Sequence, residues 1–444
     1  MIPRVDPWLA IGAVLGGLTA LMAAVKLAAR ARLLGPEAAR KAVHVGMGLM
    51  CASFPWVFHD LWPVPLLAAG AVVALALVRW WAPVHQHLGG VLDGVQRVSL
   101  GEFYFPIAVA ALRWLSGGRW ELFTLPVLVL ALADAVAALI GVRYGQSHYT
   151  TSEGYKSWEG SLAFFVTAFL AVHVPLLLGT DLGRAETLLI AATFGLLVML
   201  MEAIAWRGLD NLFIPLGGYV LLRAWLDLDA TAMGVRFGIA LALVLLVMTC
   251  RWRTTLNDAA LLGGALAGYA SCVLGDWRWL LPPLVVFLTY ARLSPPTEAN
   301  SRRVHDINAV IAVTAPGFAW LIAAASFDRP DLLLPFAAAY AAQLACIGVA
   351  RMAFDYPQRS RVVLIARATL LGWGLVMLPV VAAAGCSRAA LVASAVALLG
   401  TLLAATAFDR FQPGIRDCPT DWRRWLRQAA ICGAMSVLPL AVSR

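Results

Sequence analysis

Apolar residues fall in blocks of about twenty, separated by short clusters of Arg, Asp, Glu, Gly and Pro. A helix needs about 20 apolar residues to cross a bilayer's hydrocarbon core. In the first half such runs lie at 8–29, 42–58, 61–79, 103–117, 121–142, 160–179, 186–206 and 211–226. They continue at 231–250, 258–275, 277–293, 307–326, 332–350, 362–384, 388–408 and 428–442. The pattern predicts an all-α, polytopic integral membrane protein with about 14–16 transmembrane helices. Pro and Gly recur inside the runs, as membrane helices tolerate. The first run is too long for a signal-peptide core and has no evident cleavage site, so it counts as a span.

Composition sharpens this picture. Of 444 residues, 61% are hydrophobic and 13% charged, against the quarter or so charged in soluble domains. The mean hydropathy is +0.80. A cytosolic enzyme, a secreted disulfide scaffold and a disordered chain are all excluded. Cys51, Cys250, Cys272, Cys346, Cys386, Cys418 and Cys432 are scattered, with no Cys-x-x-Cys pair, and read as small core residues.

The net charge is +9, and only Lys26, Lys41 and Lys156 are lysines. No basic run is interleaved with aromatics, so nucleic acid is not an expected partner. Alternating the loops, with the N-terminus outside, gathers 22 basic residues on one face, among them Arg40, Lys41, Arg79, Arg97, Lys156, Arg302, Arg303, Arg351 and Arg416. Ten fall on the other, and the positive-inside rule makes the richer face cytoplasmic. A bacterial inner membrane is the expected location. The best internal boundary is the charged loop Asp227-Leu-Asp229, dividing 1–226 from 227–444.

An ionisable residue inside a span costs about 2.5–3.5 kcal/mol on insertion scales and needs a reason to be there. Asp134, among Ala133, Ala135, Ala137 and Ala138, is the clearest case. The cytoplasmic loop beyond it contains Gly141 and Gly145, then the Ser-rich stretch 150–157, and ends in Lys156-Ser157-Trp158-Glu159-Gly160. Ser157 is suited to cap the following helix, and a capped helix N-terminus with an adjacent lysine suits phosphate. The same string also describes a capped helix with a snorkelling Lys. No Gly-x4-Gly-Lys-Ser/Thr pattern occurs, which excludes a P-loop. Glu202, Asp210 and Asn211 follow on the same predicted face. Carboxylates converging with a lysine form a Mg²⁺–polyphosphate site, although Asp210-Asn211 also fits a turn and helix cap. Lys41 and His44 stand one helical turn apart near that face, where a lipid-headgroup anchor is the competing reading.

These strings, in this order, resemble the CTP-dependent isoprenoid-alcohol kinases, the phytol and dolichol kinases. The matching pieces are Arg40-Lys41-x-x-His44, Gly101-Glu102, Asp134-x-x-Ala137-Ala138-x-x-Gly141-x-x-x-Gly145, Lys156-Ser-x-Glu159-Gly160-Ser161, and Glu202 with Asp210-Asn211-x-x-x-Pro215. The resemblance covers about 40–225. It implies a kinase that moves the γ-phosphate of CTP to a long-chain isoprenoid alcohol. Asp134, Lys156 and Asp210 would be catalytic, with Asp134, Glu202 and Asp210 holding Mg²⁺. Gly141, Gly145, Lys156, Ser157, Glu159, Gly160 and Asn211 would bind the nucleotide, and Lys41, His44 and Glu102 the alcohol. Ala133 departs from the family, which often has Gly before the Asp. A cytidylyltransferase acting on a lipid phosphate, or a non-catalytic isoprenoid-lipid transporter or scaffold, are the alternatives. A transporter leads one to expect inverted repeats and broken helices near mid-membrane, whereas the polar motifs gather at one boundary.

From about 231 onward the chain resembles, more loosely, the membrane family that includes phytyl-phosphate kinase, through Thr254-Thr-Leu-Asn-Asp-Ala-Ala-Leu-Leu-Gly-Gly-Ala265 and Arg303-x-x-x-Ile307-Asn308-Ala309. That family carries an acidic cluster in a later span. Here the corresponding stretch, Ala341 to Gly348, has no carboxylate, which implies a scaffold or lipid-binding half.

Overall fold

A computed structural model of the chain describes residues 6–80, 100–151, 154–293, 305–415 and 421–442. Arg97, Arg302, Arg303, Arg416 and Cys418 lie outside them, as do Ser152 and Glu153 of the Ser-rich stretch. The protein is helical almost throughout. Ten of the described helices are long and apolar enough to cross a membrane; several of the remaining predicted runs form helices of 14–17 residues. The chain divides into two compact units, Met1–Gly238 and Ile239–Arg444.

The first unit contains α1 (Pro7–Arg30), α2 (Pro36–Ala52), the single turn α3 (Phe54–Val57), α4 (Pro63–Trp80), α5 (Gly101–Leu115) and α6 (Trp120–Tyr144). After a hairpin of β1 (His148–Thr151) and β2 (Gly154–Ser157) come α7 (Trp158–Gly179), α8 (Arg184–Ile204), α9 (Asp210–Trp225) and the start of α10 (Ala230–Cys250). Helix α2 begins before its apolar run, because Pro36 sits in its first turn, where a missing N–H costs nothing. Arg40 and Lys41 are therefore helical.

Between helices in lipid there is little hydrophobic drive, so close packing of small residues does much of the joining. Helix α2 crosses α6 where a Cβ on Gly48 would lie 2.3 Å from that of Ala131. Residues 41, 44 and 52 of α2 meet 134, 130 and 124 of α6, so the two helices run antiparallel. Helix α6 also crosses α7 at glycines: a Cβ on Gly160 would lie 3.0 Å from the Ala137 carbonyl and 3.3 Å from the Gly141 Cα. Phe123, Leu130, Phe164, Phe194 and Trp225 fill the interior. Tryptophan pairs Trp8–Trp62 and Trp56–Trp120, with centroids 5.1 and 5.8 Å apart, gather at the end opposite Lys41 and Asp134, as an interfacial aromatic belt does.

Among the described residues of this unit the hairpin is the one regular departure from helix, where the sequence reading had a Ser-rich loop. Alternating polar and aromatic residues, His148-Tyr-Thr-Thr and Gly154-Tyr-Lys-Ser, suit a short ladder that pairs Tyr149 with Lys156.

The second unit contains the rest of α10 and α11 (Asp258–Leu274), α12 (Trp277–Leu293), α13 (Ile307–Phe327), α14 (Leu333–Asp355), α15 (Arg361–Ala383), α16 (Arg388–Phe411) and α17 (Trp422–Met435). Helix α14, rich in alanine, is the buried centre. Its Gln343 donates to the Ala312 carbonyl at 2.9 Å and accepts from Gln428 at 2.6 Å, so two buried amides are joined where water cannot serve them.

Small residues also set the α14–α15 crossing. A Cβ on Gly372 would approach the Ala341 carbonyl at 2.7 Å and the Ala345 nitrogen at 2.9 Å, while one on Gly374 would meet nothing within 4 Å. Overpacking costs about 1–3 kcal/mol. Gly372→Ala is therefore expected to lower the melting temperature of the detergent-solubilised protein by about 3–10 °C. Gly374→Ala is expected to leave it within a degree or so on the same thermal scan.

Candidate functional site

At one end of the first unit the start of α2, the later turns of α6, the hairpin, the end of α8 and the start of α9 come together. Asp134, on the lipid-embedded α6, is met by α2: Lys41 Nζ lies 2.6 Å from Asp134 Oδ2 and 3.4 Å from its carbonyl. His44 Nε2 lies 3.5 Å from the same Oδ2 and 3.4 Å from the Leu130 carbonyl. Lys41 is only 4% exposed. A lysine anchoring lipid headgroups would extend its ammonium to the surface; this one turns inward.

The second lysine has its own carboxylate. Lys156 Nζ donates to Glu202 Oε1 at 2.6 Å and to the Glu202 carbonyl at 2.5 Å. Burial works against the Lys156 charge, yet the Glu202 carboxylate outweighs it and the lysine pKa stands above its ordinary value. Tyr149, opposite Lys156 in the hairpin, is buried and bonded through Oη to Ser161 Oγ at 2.8 Å. It fixes the strand that presents the lysine.

Asp210 joins the two pairs. It opens α9 after a turn in which Arg207 and Gly208 take positive φ, 54° and 80°, and its carboxyl accepts the Asn211 backbone N–H. Asp134, Glu202 and Lys156 all act on it electrostatically, and Arg40, paired with Glu37 at 2.6 Å, feels both Asp134 and Asp210. Asp134, Lys156, Glu202 and Asp210, predicted from separated motifs, thus share one charged neighbourhood with Lys41 and His44.

The remaining predicted residues are placed differently. Ser157 caps α7, accepting the Gly160 N–H at 3.1 Å, and Glu159 accepts the Ser147 N–H at 3.1 Å. Gly141, Gly145 and Gly160 pack against one another and Ser157: a Cβ on Gly145 would come 2.4 Å from the Gly141 carbonyl. Their lack of side chains lets α6 and α7 touch, which brings Lys156 near Asp134's helix. Glu102 pairs with Arg79 at 2.7 Å, joining α4 to α5, and α5 reaches the cluster through Phe105, whose ring centroid is 6.2 Å from that of His44. Sequence reasoning missed Tyr149 and both lysine–carboxylate pairings. The polar–aromatic alternation around Tyr149 was the available signal; the pairings had none.

Among the described residues, no three His, Cys, Asp or Glu side chains are grouped as ligands around one point. The donors at the site are nonetheless carboxylate oxygens, the hard ligands that Mg²⁺ takes together with phosphate.

One curated relative is 30% identical over 223 residues, which cover 49% of this chain and 91% of the relative: phytol kinase from Synechocystis sp.. The chain belongs to the phytol kinase family. No family profile matches it, and no solved structure does. About half of the chain therefore extends beyond what this phytol kinase contains.

Removing one partner of a buried pair leaves the other charge uncompensated, at about 3–5 kcal/mol. Lys41→Met is expected to destabilise the protein by about 3 kcal/mol, and Lys41→Met/Asp134→Asn by clearly less, because the stranded carboxylate is gone. Equilibrium unfolding in detergent reads both. A double variant no more stable than the single one would separate Lys41 from Asp134.

Proposed function

We propose that the chain is an isoprenoid-alcohol kinase that transfers the γ-phosphate of CTP to a long-chain alcohol of the phytol or polyprenol class. The observation that carries this reading is the convergence of two lysine–carboxylate pairs and Asp210 at one end of a lipid-embedded helical unit, in a chain similar to a phytol kinase. Phosphoryl transfer asks little covalent chemistry of a protein. It needs the reactants aligned and the phosphate charge offset. Lys156 binds the phosphates and keeps its charge through Glu202. The isoprenoid tail stays in the bilayer, and its hydroxyl reaches the boundary where the nucleotide arrives from water. We assign Asp134 to receive the hydroxyl proton. Mg²⁺ held by Asp210 with Glu202 or Asp134 would neutralise charge on the transferring group.

The excess of basic residues on this face makes it cytoplasmic in the proposal. Tyr155, 76% exposed on the hairpin, is the reporter: Tyr155→Cys, with Cys386 and Cys418 changed to Ser, is expected to react with a membrane-impermeant maleimide in inverted vesicles and not in intact cells. Labelling from outside would invert the topology.

Purified protein given Mg²⁺ and phytol or a polyprenol is expected to form lipid phosphate that carries label from [γ-³²P]CTP and none from [α-³²P]CTP. Label from the α-position would make it a cytidylyltransferase, and no lipid phosphate from any nucleoside triphosphate ends the kinase reading. Asp134→Asn and Lys156→Ala are each expected to cut turnover per folded molecule by at least about 10²-fold.

A further inference from the structure

We infer that Lys41 is a second phosphate-binding cation, held by Asp134 in the nucleotide-free chain as Glu202 holds Lys156, and that triphosphate binding exchanges both pairs. The inference rests on the kinase reading and adds to it how the site is kept before substrate arrives. Lys41 carries three donors, and its contacts among the described residues, Asp134 Oδ2 and the Asp134 carbonyl, belong to a single residue. Lys156 repeats the arrangement with Oε1 and the carbonyl of Glu202. One side-chain rotation therefore releases each ammonium.

A buried ion pair is a poor device for stability, since apolar residues of similar volume often serve as well or better. Two such pairs, each with a 2.6 Å contact and each with its carboxylate acting on Asp210, stand where a polyanion has to bind. A free triphosphate meets three carboxylates and two lysines whose charge is already spent. It binds weakly until the carboxylates find another cation and the lysines turn to the phosphates. Nucleotide and divalent cation then bind cooperatively, each relieving the obstacle to the other. Lys41 stands one helical turn before His44 on α2, so its ammonium would meet the phosphate from the side of the helix that leads into the bilayer.

The test is nucleotide binding by the full-length protein in nanodiscs, with CTP and with ATP, in EDTA and in Mg²⁺. Wild type is expected to bind at least tenfold more tightly with Mg²⁺. Asp134→Asn leaves Lys41 without its carboxylate, so its affinity in EDTA is expected to rise about tenfold. Adding Lys41→Met is expected to take that gain away, and neither variant buries an orphaned carboxylate at position 134. Equal affinity of Asp134→Asn and Lys41→Met/Asp134→Asn in EDTA overturns the inference, as does wild-type affinity that Mg²⁺ leaves unchanged. Wild type that binds neither nucleotide under either condition removes the kinase reading and this inference together. Wild type that phosphorylates lipid, with the two variants alike in EDTA, removes the inference alone.

Discussion

A charge can remain inside a lipid-embedded helical unit only if an opposite charge or well-placed hydrogen-bond partners meet it there, and around Asp134 the first unit is arranged to supply the opposite charge. Asp134 lies on the long apolar α6, where water cannot be relied on to solvate it. Its partner has to come from a neighbouring helix at close range. The Gly48–Ala131 contact brings α2 that close, and the early start of α2 at Pro36 makes position 41 helical, so that Lys41 points across the crossing. Replace Gly48 with a larger residue and the distance from Lys41 to Asp134 grows before any charged group is touched. Packing and electrostatics are one constraint here.

The second pair is built by different means to the same end. Lys156 is on a strand because the connection between α6 and α7 is a hairpin, and Tyr149 ties that hairpin to Ser161 of α7. The glycines at 141, 145 and 160 let α6 and α7 approach closely, drawing the hairpin toward α8 and Glu202. Residues that resemblance attached to nucleotide binding thus have a demonstrable packing role.

Much of this was legible in the sequence, and the reason is physical. Bilayer thickness sets a length scale that apolar runs must meet, so the helices could be read directly, and carboxylates such as Asp134 stood out against an apolar background. What sequence could not supply was partnership. Nothing in the spacing of Lys41, Lys156, Asp134 and Glu202 says which lysine meets which acid, because that depends on helix crossings fixed by Gly48, Gly141 and Gly160. Glu102 shows the same limit: its motif position attached it to the substrate, and its ion pair with Arg79 could not be read from that position. The strand at Lys156 was hidden because four residues of alternation are too short to stand out from a Ser-rich loop.

The second unit joins its central helix by a different kind of polar contact. Its central helix α14 carries Gln343, whose amide donates to the Ala312 carbonyl and accepts from Gln428. Neutral amides join helices without a counter-ion, while the charged Arg251–Asp258 pair, 2.8 Å apart, lies at the start of α11 in the same unit. A cavity of about 120 Å³ in this unit is lined mainly by apolar residues such as Leu243, Leu284 and Val313, with His305 and Arg424 also in its wall. In the kinase reading proposed above, the chemistry rests on the lysine–carboxylate pairs of the first unit, because a charged pair can release a cation to phosphate, whereas an amide pair has no charge to give.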